Sequence, residues 1–219
     1  MTAHGSVLVA IGWTVVGAAA GWFVRWGSVR LARMEGLEPG FKPWQVWGPP
    51  IVSAILFGLF GLELASLPLL VLRSVFVLVL VQVIFFDLEH RLILDRVMFP
   101  SMAGALLLSL TGDPWFSGHD RWHGIATGVA AGLLFLLIGL AGSAIFKAEA
   151  LGFGDVKLAL FIGLLLGPLP TVQALFDGVF LAGLAAIATI IWRRSMKGTL
   201  AYGPYLAAGA LIVLYLLPQ

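Results

Sequence analysis

Long apolar runs separated by short polar junctions are the feature that most constrains how this chain can fold. The 219 residues are 60% hydrophobic and only 11% charged, whereas a soluble domain carries about 25% charged residues. This composition is typical of a protein that crosses a lipid bilayer several times. We therefore predict an all-α, polytopic membrane helix bundle, with residues 1–219 forming a single domain. The bilayer is its expected environment, and no nucleic-acid partner is expected.

Eight of the apolar runs are candidate transmembrane helices. A helix that crosses a bilayer core of ~30 Å needs about 20 apolar residues, so the fourth and sixth runs are short. Each of these two helices either extends into a polar junction, thins the bilayer locally, or enters the membrane without crossing it. The eight predicted spans are 7–24, 46–62, 69–86, 97–110, 124–146, 156–169, 171–192 and 204–217.

The positions of the basic residues predict the orientation of these spans. No Lys or Arg precedes the first run, so we interpret that run as a retained helix with its N-terminus outside rather than as a secretory signal. Alternation makes residues 25–45 a short cytoplasmic loop and leaves only Arg73 and Arg121 outside, which agrees with the positive-inside rule. The other eleven basic residues would face the cytoplasm, and they are Arg25, Arg30, Arg33, Lys42, Arg91, Arg96, Lys147, Lys157, Arg193, Arg194 and Lys197.

Two aspartates at the ends of apolar runs are the candidate functional residues. Asp87 follows the third span and Asp155 precedes the sixth, and ionisable groups in such positions are costly and mark function. Two spans separate them, so the junctions 87–96 and 147–155 are predicted to lie on the same face. Two close carboxylates cannot both ionise easily. One could take a proton from water while the other, protonated, hydrogen-bonds a peptide carbonyl, which is the chemistry of peptide hydrolysis.

Four further residues are predicted to support this site. Gly152 and Gly154 lack side chains and leave room for a substrate backbone. The N-terminus of the sixth span favours an anion, so Asp155 is the predicted ionised member of the pair. Lys157 either reinforces this effect or points elsewhere, and Asp95 has a supporting role in the first junction.

The two junctions resemble motifs of the type IV prepilin peptidases, which are intramembrane aspartyl proteases of the Gly-x-Gly-Asp type. Residues 87–95 (DLEHRLILD) are similar to the first motif of that family, and residues 152–158 (GFGDVKL) to the second. Residues 17–33 and 202–207 are similar to parts of the family's first and last helices.

The resemblance implies that Asp87 and Asp155 are the catalytic pair of an aspartic-type endopeptidase. The implied substrate is the helix of a prepilin or pseudopilin, from a type IV pilus or a protein secretion system. Its basic leader would be removed at the cytoplasmic face of the bacterial inner membrane, and proteolysis would need no cofactor. Many relatives also methylate the new N-terminus with S-adenosylmethionine, and the sequence leaves that activity, like the oligomeric state, open.

The chain departs from the longer members of that family in two places. Those members carry a cysteine-rich, zinc-binding cytoplasmic domain between the first two spans, whereas residues 25–45 are short and the sequence has no cysteine. We therefore expect a short form without that domain, and without disulfides or cysteine nucleophiles. Leu94 stands where the family often has proline, before Asp95.

Other classes of function are left open by the residues themselves. The two aspartates could instead form a proton or cation relay in a membrane transporter. They could also bind a divalent metal together with Glu89 and His90, although we predict no metal and treat these two neighbours as interfacial polar residues. His119 and His123 are interpreted as loop residues rather than as ligands.

Overall fold

The protein is helical throughout the part of the chain that the computed structural model describes, which is residues 3–63, 66–111, 121–147, 151–193 and 201–217. This confirms the predicted all-α class. The helices are α1 (Ala3–Met34), α2 (Pro43–Glu63), α3 (Leu67–His90), α4 (Asp95–Leu110), α5 (Arg121–Phe146), α6 (Phe153–Leu166), α7 (Pro168–Arg193) and α8 (Gly203–Leu216).

Five of these helices, α1, α2, α3, α5 and α7, are long and apolar enough to cross a membrane. The other three, α4, α6 and α8, have 16, 14 and 14 residues and extend only about 21 to 24 Å at 1.5 Å per residue. The sequence indicated that α4 and α6 are short but did not single out α8. The fold is that of a polytopic helical membrane protein.

The first helix is longer than the sequence predicts. It continues to Met34, so the predicted loop 25–45 is reduced to residues 35–42. Arg25 would interrupt an isolated apolar run, but its guanidinium is buried and paired with Glu89 of α3. Because a tertiary partner satisfies the charge, the helix can continue through it.

Two compact units make up the fold, Met1–Arg91 and Leu92–Pro218. In the first, α1 packs along α2, and both helices contact α3. The crossing of α1 and α2 is close because Gly17 and Gly21 have no side chains. A Cβ atom on Gly17 would lie 2.5 Å from the carbonyl oxygen of Ser53, and small residues are common where membrane helices approach each other closely.

Polar side chains are buried in the first unit, where they hydrogen-bond between helices. Trp13 Nε1 donates to Ser74 Oγ at 2.9 Å, and Ser28 Oγ donates to Gln82 Oε1 at 2.9 Å. Arg73 is only 1% exposed within α3, although the sequence predicts it among the residues of the outer face. Arg73 therefore lies inside the protein rather than at the membrane surface.

The second unit is built around α6, which contacts α4, α5, α7 and α8. Residues 161–166 of this helix are all buried. A Cβ atom on Gly163 would lie 2.6 Å from the Cα atom of Gly128 in α5, so the two helices pack almost backbone to backbone. A helix enclosed in this way does not need to span a bilayer alone, because protein surrounds it.

Some predicted features fall outside the described residues. They are the polar loop with His119, residues 148–150 of the second junction, and Arg194 and Lys197 of the basic segment.

Candidate active site

Asp87 lies in the last turn of α3, because this helix continues to His90 rather than ending at residue 86. The aspartate is buried, with 5% of its surface exposed. Its backbone carbonyl accepts a hydrogen bond from the N–H of Arg91 at 2.8 Å. Arg91 has a left-handed backbone conformation, with φ of 55°, which is a common way to end a helix. Asp87 is therefore held next to a well-defined helix end.

Glu89, two residues further on, connects three segments of the first unit. Its Oε2 atom accepts from Arg25 Nη1 of α1 at 3.0 Å, and its Oε1 atom accepts from the backbone N–H of Gly40 at 2.5 Å. Arg25 Nη2 also donates to the carbonyl oxygen of Gly40. The side chains of Arg25 and Glu89 are only 7% and 6% exposed. The sequence analysis treats Glu89 as an interfacial polar residue, whereas the structure shows a buried ion pair.

Asp155 lies in the first turn of α6, as the sequence predicts. It is the third helical residue after the N-cap Gly152, and its backbone N–H donates to the carbonyl oxygen of Gly152 at 3.1 Å. The residue is 8% exposed. The unpaired N–H groups at a helix N-terminus, together with the helix dipole, favour a negative charge at this position.

The two glycines before Asp155 have different surroundings. A Cβ atom on Gly154 would lie 2.8 Å from Cβ of Ile93, so Gly154 allows the linker before α4 to pack against α6. A Cβ atom on Gly152 would have Oδ2 of Asp155, at 3.4 Å, as its only neighbour within 4 Å in the described part of the chain. Among the described residues, only the Asp155 carboxylate borders the space at Gly152, while Ile93 fills the corresponding space at Gly154.

Lys157 points to α4. Its Nζ atom forms an ion pair with Asp95, the first residue of that helix. The ammonium also lies 5.0 Å from the ring centroids of Phe99 and Phe153. Residues two apart on a helix do not face each other, so Lys157 and Asp155 can serve different partners. Lys157 and Asp95 thus join the N-terminal ends of α6 and α4.

Tyr202, the N-cap of α8, belongs to the surroundings of Asp155. Burial, and secondly the negative charge of Asp155, raise the pKa of Tyr202 above its usual value of 10.0. The phenol therefore keeps its proton to a higher pH than an unperturbed tyrosine does. Tyr202 also lines a cavity of about 360 Å³ together with Leu151 and apolar side chains of α5 and α7.

The structure brings together the predicted residues of the second unit, which are Asp155, its two glycines, Lys157 and Asp95. Asp87 belongs to the first unit, and its pairing with Asp155 stays a prediction. The ion pair of Arg25 and Glu89 was not predicted, because residues 64 apart in the chain carry no local signal that they meet. Within each unit, no group of three or more described His, Asp or Glu residues is arranged to hold a metal ion.

These observations define a class of protein, a helical membrane bundle with one aspartate buried at the end of an apolar helix and another in the first turn of a second. The sequence profile of the type IV leader peptidase family matches residues 74–191, which is more than half of the chain. The chain belongs to this family.

The chain is similar to the prepilin leader peptidase/N-methyltransferase of Bacillus subtilis (strain 168), with 31% identity over 170 residues, 74% of this chain and 62% of that protein. The protein with the same name from Dickeya chrysanthemi is 35% identical over 136 residues, 59% of this chain and 45% of that protein. The chain therefore spans less than two thirds of the length of these relatives. No solved structure matches it significantly.

Proposed function

We propose that this protein is an aspartic-type endopeptidase that removes the basic leader from type IV prepilins or pseudopilins, with Asp87 and Asp155 as its catalytic residues. Membership of the type IV leader peptidase family supports the reaction. The observation that carries the choice of residues is the burial of both aspartates at the ends of apolar helices. Burial of a carboxylate at the end of an apolar helix is costly, and ionisable residues in membrane segments commonly mark functional sites.

The covalent chain limits how far apart the two acids can be. Ile93 packs against Gly154, the residue before Asp155, and only five residues separate Asp87 from Ile93 along the sequence. Six residue steps reach at most about 22 Å when fully extended. The covalent connection therefore permits the two acids to share a site, which is what the proposal requires.

In the proposed mechanism, Asp155 is the ionised carboxylate and takes a proton from a water molecule. The water oxygen attacks the peptide carbonyl, whose oxygen accepts a hydrogen bond from protonated Asp87. The C–N bond then breaks, and Asp155 passes the proton that it took from water to the leaving nitrogen, so that a new carboxylate and a new amine are produced. General acid–base catalysis of this type contributes on the order of 10²- to 10⁴-fold to a rate. No metal or cofactor takes part in these steps.

N-methylation would require S-adenosylmethionine. Two cavities of the described structure do not fit this cofactor. One cavity, of about 580 Å³, is lined by Arg30 and Arg33 with Trp26, Val29 and Met34, and two guanidinium groups would repel the sulfonium and ammonium cations of this cofactor. The cavity beside Tyr202 offers apolar walls and one hydroxyl group. We therefore assign no methylation step to the residues that line these two cavities.

We further propose that the site faces the cytoplasm from the bacterial inner membrane. The predicted inner segments carry eleven of the 13 basic residues, which is the asymmetry that the positive-inside rule describes. A basic leader would remain in water on that side while the apolar helix of the substrate stays in the bilayer.

Cleavage of a leader-bearing pilin peptide by the purified protein in detergent tests the proposal. We expect Asp87→Asn and Asp155→Asn each to lower kcat on the order of 10²- to 10⁴-fold, because the amide can neither take nor share the proton. Asp177→Asn, a matched change in α7, should cleave as the wild type does. Wild-type rates in either active-site variant would refute the assignment, and coupled ion flux without cleavage would favour the relay instead.

A further inference from the structure

We propose that Glu89 is a positioning residue for Asp87. Together with Arg25 it clips the loop 35–42 onto the last turn of α3, and this clip fixes the rotation of that turn. The inference rests on the proposed catalytic role of Asp87, but the geometry of the clip can be tested independently of activity.

The clip is a closed ring of three groups. The Arg25 guanidinium donates one N–H to Glu89, with Nη1 and Oε2 3.0 Å apart, and another to the carbonyl oxygen of Gly40. The backbone N–H of Gly40 donates to the second carboxylate oxygen of Glu89. Every charge in the ring therefore has a partner, and both backbone groups of Gly40 are satisfied.

Glycine at position 40 leaves room for the side chain of Gln45. A Cβ atom there would lie 2.2 Å from Nε2 of Gln45. Gln45 is itself buried and accepts a hydrogen bond from the N–H of Lys42 at 2.8 Å, so a side chain at position 40 would require Gln45 to shift and would disturb this hydrogen bond. The loop is thus held in one shape at the position where it meets Glu89.

The clip acts on Asp87 through the geometry of the helix. Successive residues are about 100° apart around a helix of 3.6 residues per turn, so Asp87 and Glu89 point to nearly opposite sides of α3. Glu89 is anchored to α1 and the loop, and Asp87 consequently points away from them. His90 Nε2 lies 3.3 Å from Glu89, and its ring lies 4.7 Å from that of Phe86, so the turn has contacts on more than one side.

Removing one member of the ring should release the turn without unfolding the long helices. A buried charge without its partner strongly destabilises the folded state. The remaining side chain is therefore expected to turn toward water. Arg91 ends α3 directly after this turn, so the turn can then rotate or fray. A small misplacement of a catalytic group costs on the order of 10²-fold in rate, whereas binding of the substrate helix elsewhere would be little changed.

The test compares Glu89→Gln with Glu63→Gln, a matched substitution at the far end of α2. Hydrogen exchange of the backbone amides of residues 35–45 is measured in detergent, and kcat and KM are measured with the pilin peptide. For Glu89→Gln we expect exchange in that segment to accelerate about tenfold or more and kcat to fall on the order of 10- to 100-fold, with KM within about twofold of wild type. Glu63→Gln should change neither quantity.

Arg25→Lys provides a second variant if Glu89→Gln does not fold. A lysine keeps the charge but not the planar fork that reaches two acceptors, so exchange and kcat should lie between those of wild type and Glu89→Gln. Faster loop exchange with an unchanged kcat would overturn the positioning role, and so would a lower kcat with unchanged loop exchange. If the wild type itself does not cleave the peptide, the proposed function fails, while the exchange measurement still decides whether the clip exists.

Discussion

Gly154 and Gly152 show how a residue that is easy to recognise in a motif can have a role that the motif does not reveal. Both glycines suggest space for a substrate backbone. In the structure, Ile93 occupies the space at Gly154, where a Cβ atom would lie 2.8 Å from its own Cβ. Gly152, by contrast, has only the carboxylate of Asp155 beside it among the described residues. The spacing of the motif was readable from sequence, but the packing partner, 61 positions away along the chain, was not.

Glu89 illustrates the same limit for charged residues. A glutamate at the end of an apolar run is equally compatible with a solvated position and with a buried ion pair, because both avoid an isolated charge in lipid. Only the packing of α1 against α3 places Arg25 beside it.

Tyr202 gives a prediction about pH at the scale of a single residue. Burial, and to a lesser extent Asp155, raise the pKa of Tyr202, so the folded protein keeps this phenol proton at a pH where the unfolded chain, with a pKa of about 10, loses it. The unfolded state binds fewer protons above that pH, and the free energy of unfolding therefore decreases as pH rises from about 10 toward the folded pKa.

Thermal unfolding of the wild type and Tyr202→Phe between pH 9 and 11 measures this effect. The phenylalanine variant should lose less stability over that interval. Asp155→Asn should reduce the decline only in part, because burial, the larger cause of the shift, remains. Equal pH dependence in the wild type and Tyr202→Phe would contradict the assignment.

At the scale of the helices, α6 depends on close contact with its neighbours. It is short, it is enclosed by four other helices, and it carries Asp155 in its first turn. Hydropathy predicted a short apolar helix here. It could not distinguish a helix buried in protein from one that faces lipid, since both require apolar side chains.

Two glycine-to-alanine substitutions test this packing. At Gly163 the added methyl group would lie 2.6 Å from Cα of Gly128, and 2.8 Å from two further backbone atoms of α5, whereas at Gly183 in α7 it would meet nothing within 4 Å. Because backbone atoms cannot move aside as side chains can, Gly163→Ala should cost about 1–3 kcal/mol of stability. Gly183→Ala should be neutral or slightly stabilising, since alanine is the better helix former.

The thermal midpoints of the two variants in the same detergent provide the measurement. A stable Gly163→Ala protein with an unchanged midpoint would show that α5 and α6 are not packed as closely as described.

At the scale of the whole molecule, the lengths and composition of the helices do not show which end of each helix faces the cytoplasm. The chain has no cysteine, so a single introduced thiol reports its own position. Glu38 lies in the loop before α2 and Glu63 at the other end of that helix, and both are exposed. A membrane-crossing α2 must put these two residues on opposite sides.

Labelling with a membrane-impermeant maleimide tests the proposed orientation. Glu38→Cys should react only when the cytoplasmic face is accessible, as in inside-out vesicles, and Glu63→Cys only from the outer face. The reverse pattern would invert the topology and place the proposed leader-binding side outside the cell. Labelling of both from one side would show that α2 does not cross.

The sequence by itself determined the class of fold, the order of the helices, the family, and the helix ends at which the two aspartates lie. These properties are local, because a run of about 20 apolar residues must satisfy its own backbone in lipid and because the motifs occupy short, continuous stretches. The tertiary structure alone decided that α1 continues through Arg25, that Gly154 makes room for Ile93, and that Glu89 holds Gly40. Each of these depends on a contact between residues far apart in the chain. Local sequence patterns do not show which distant residues meet, because the packing of the helices decides this.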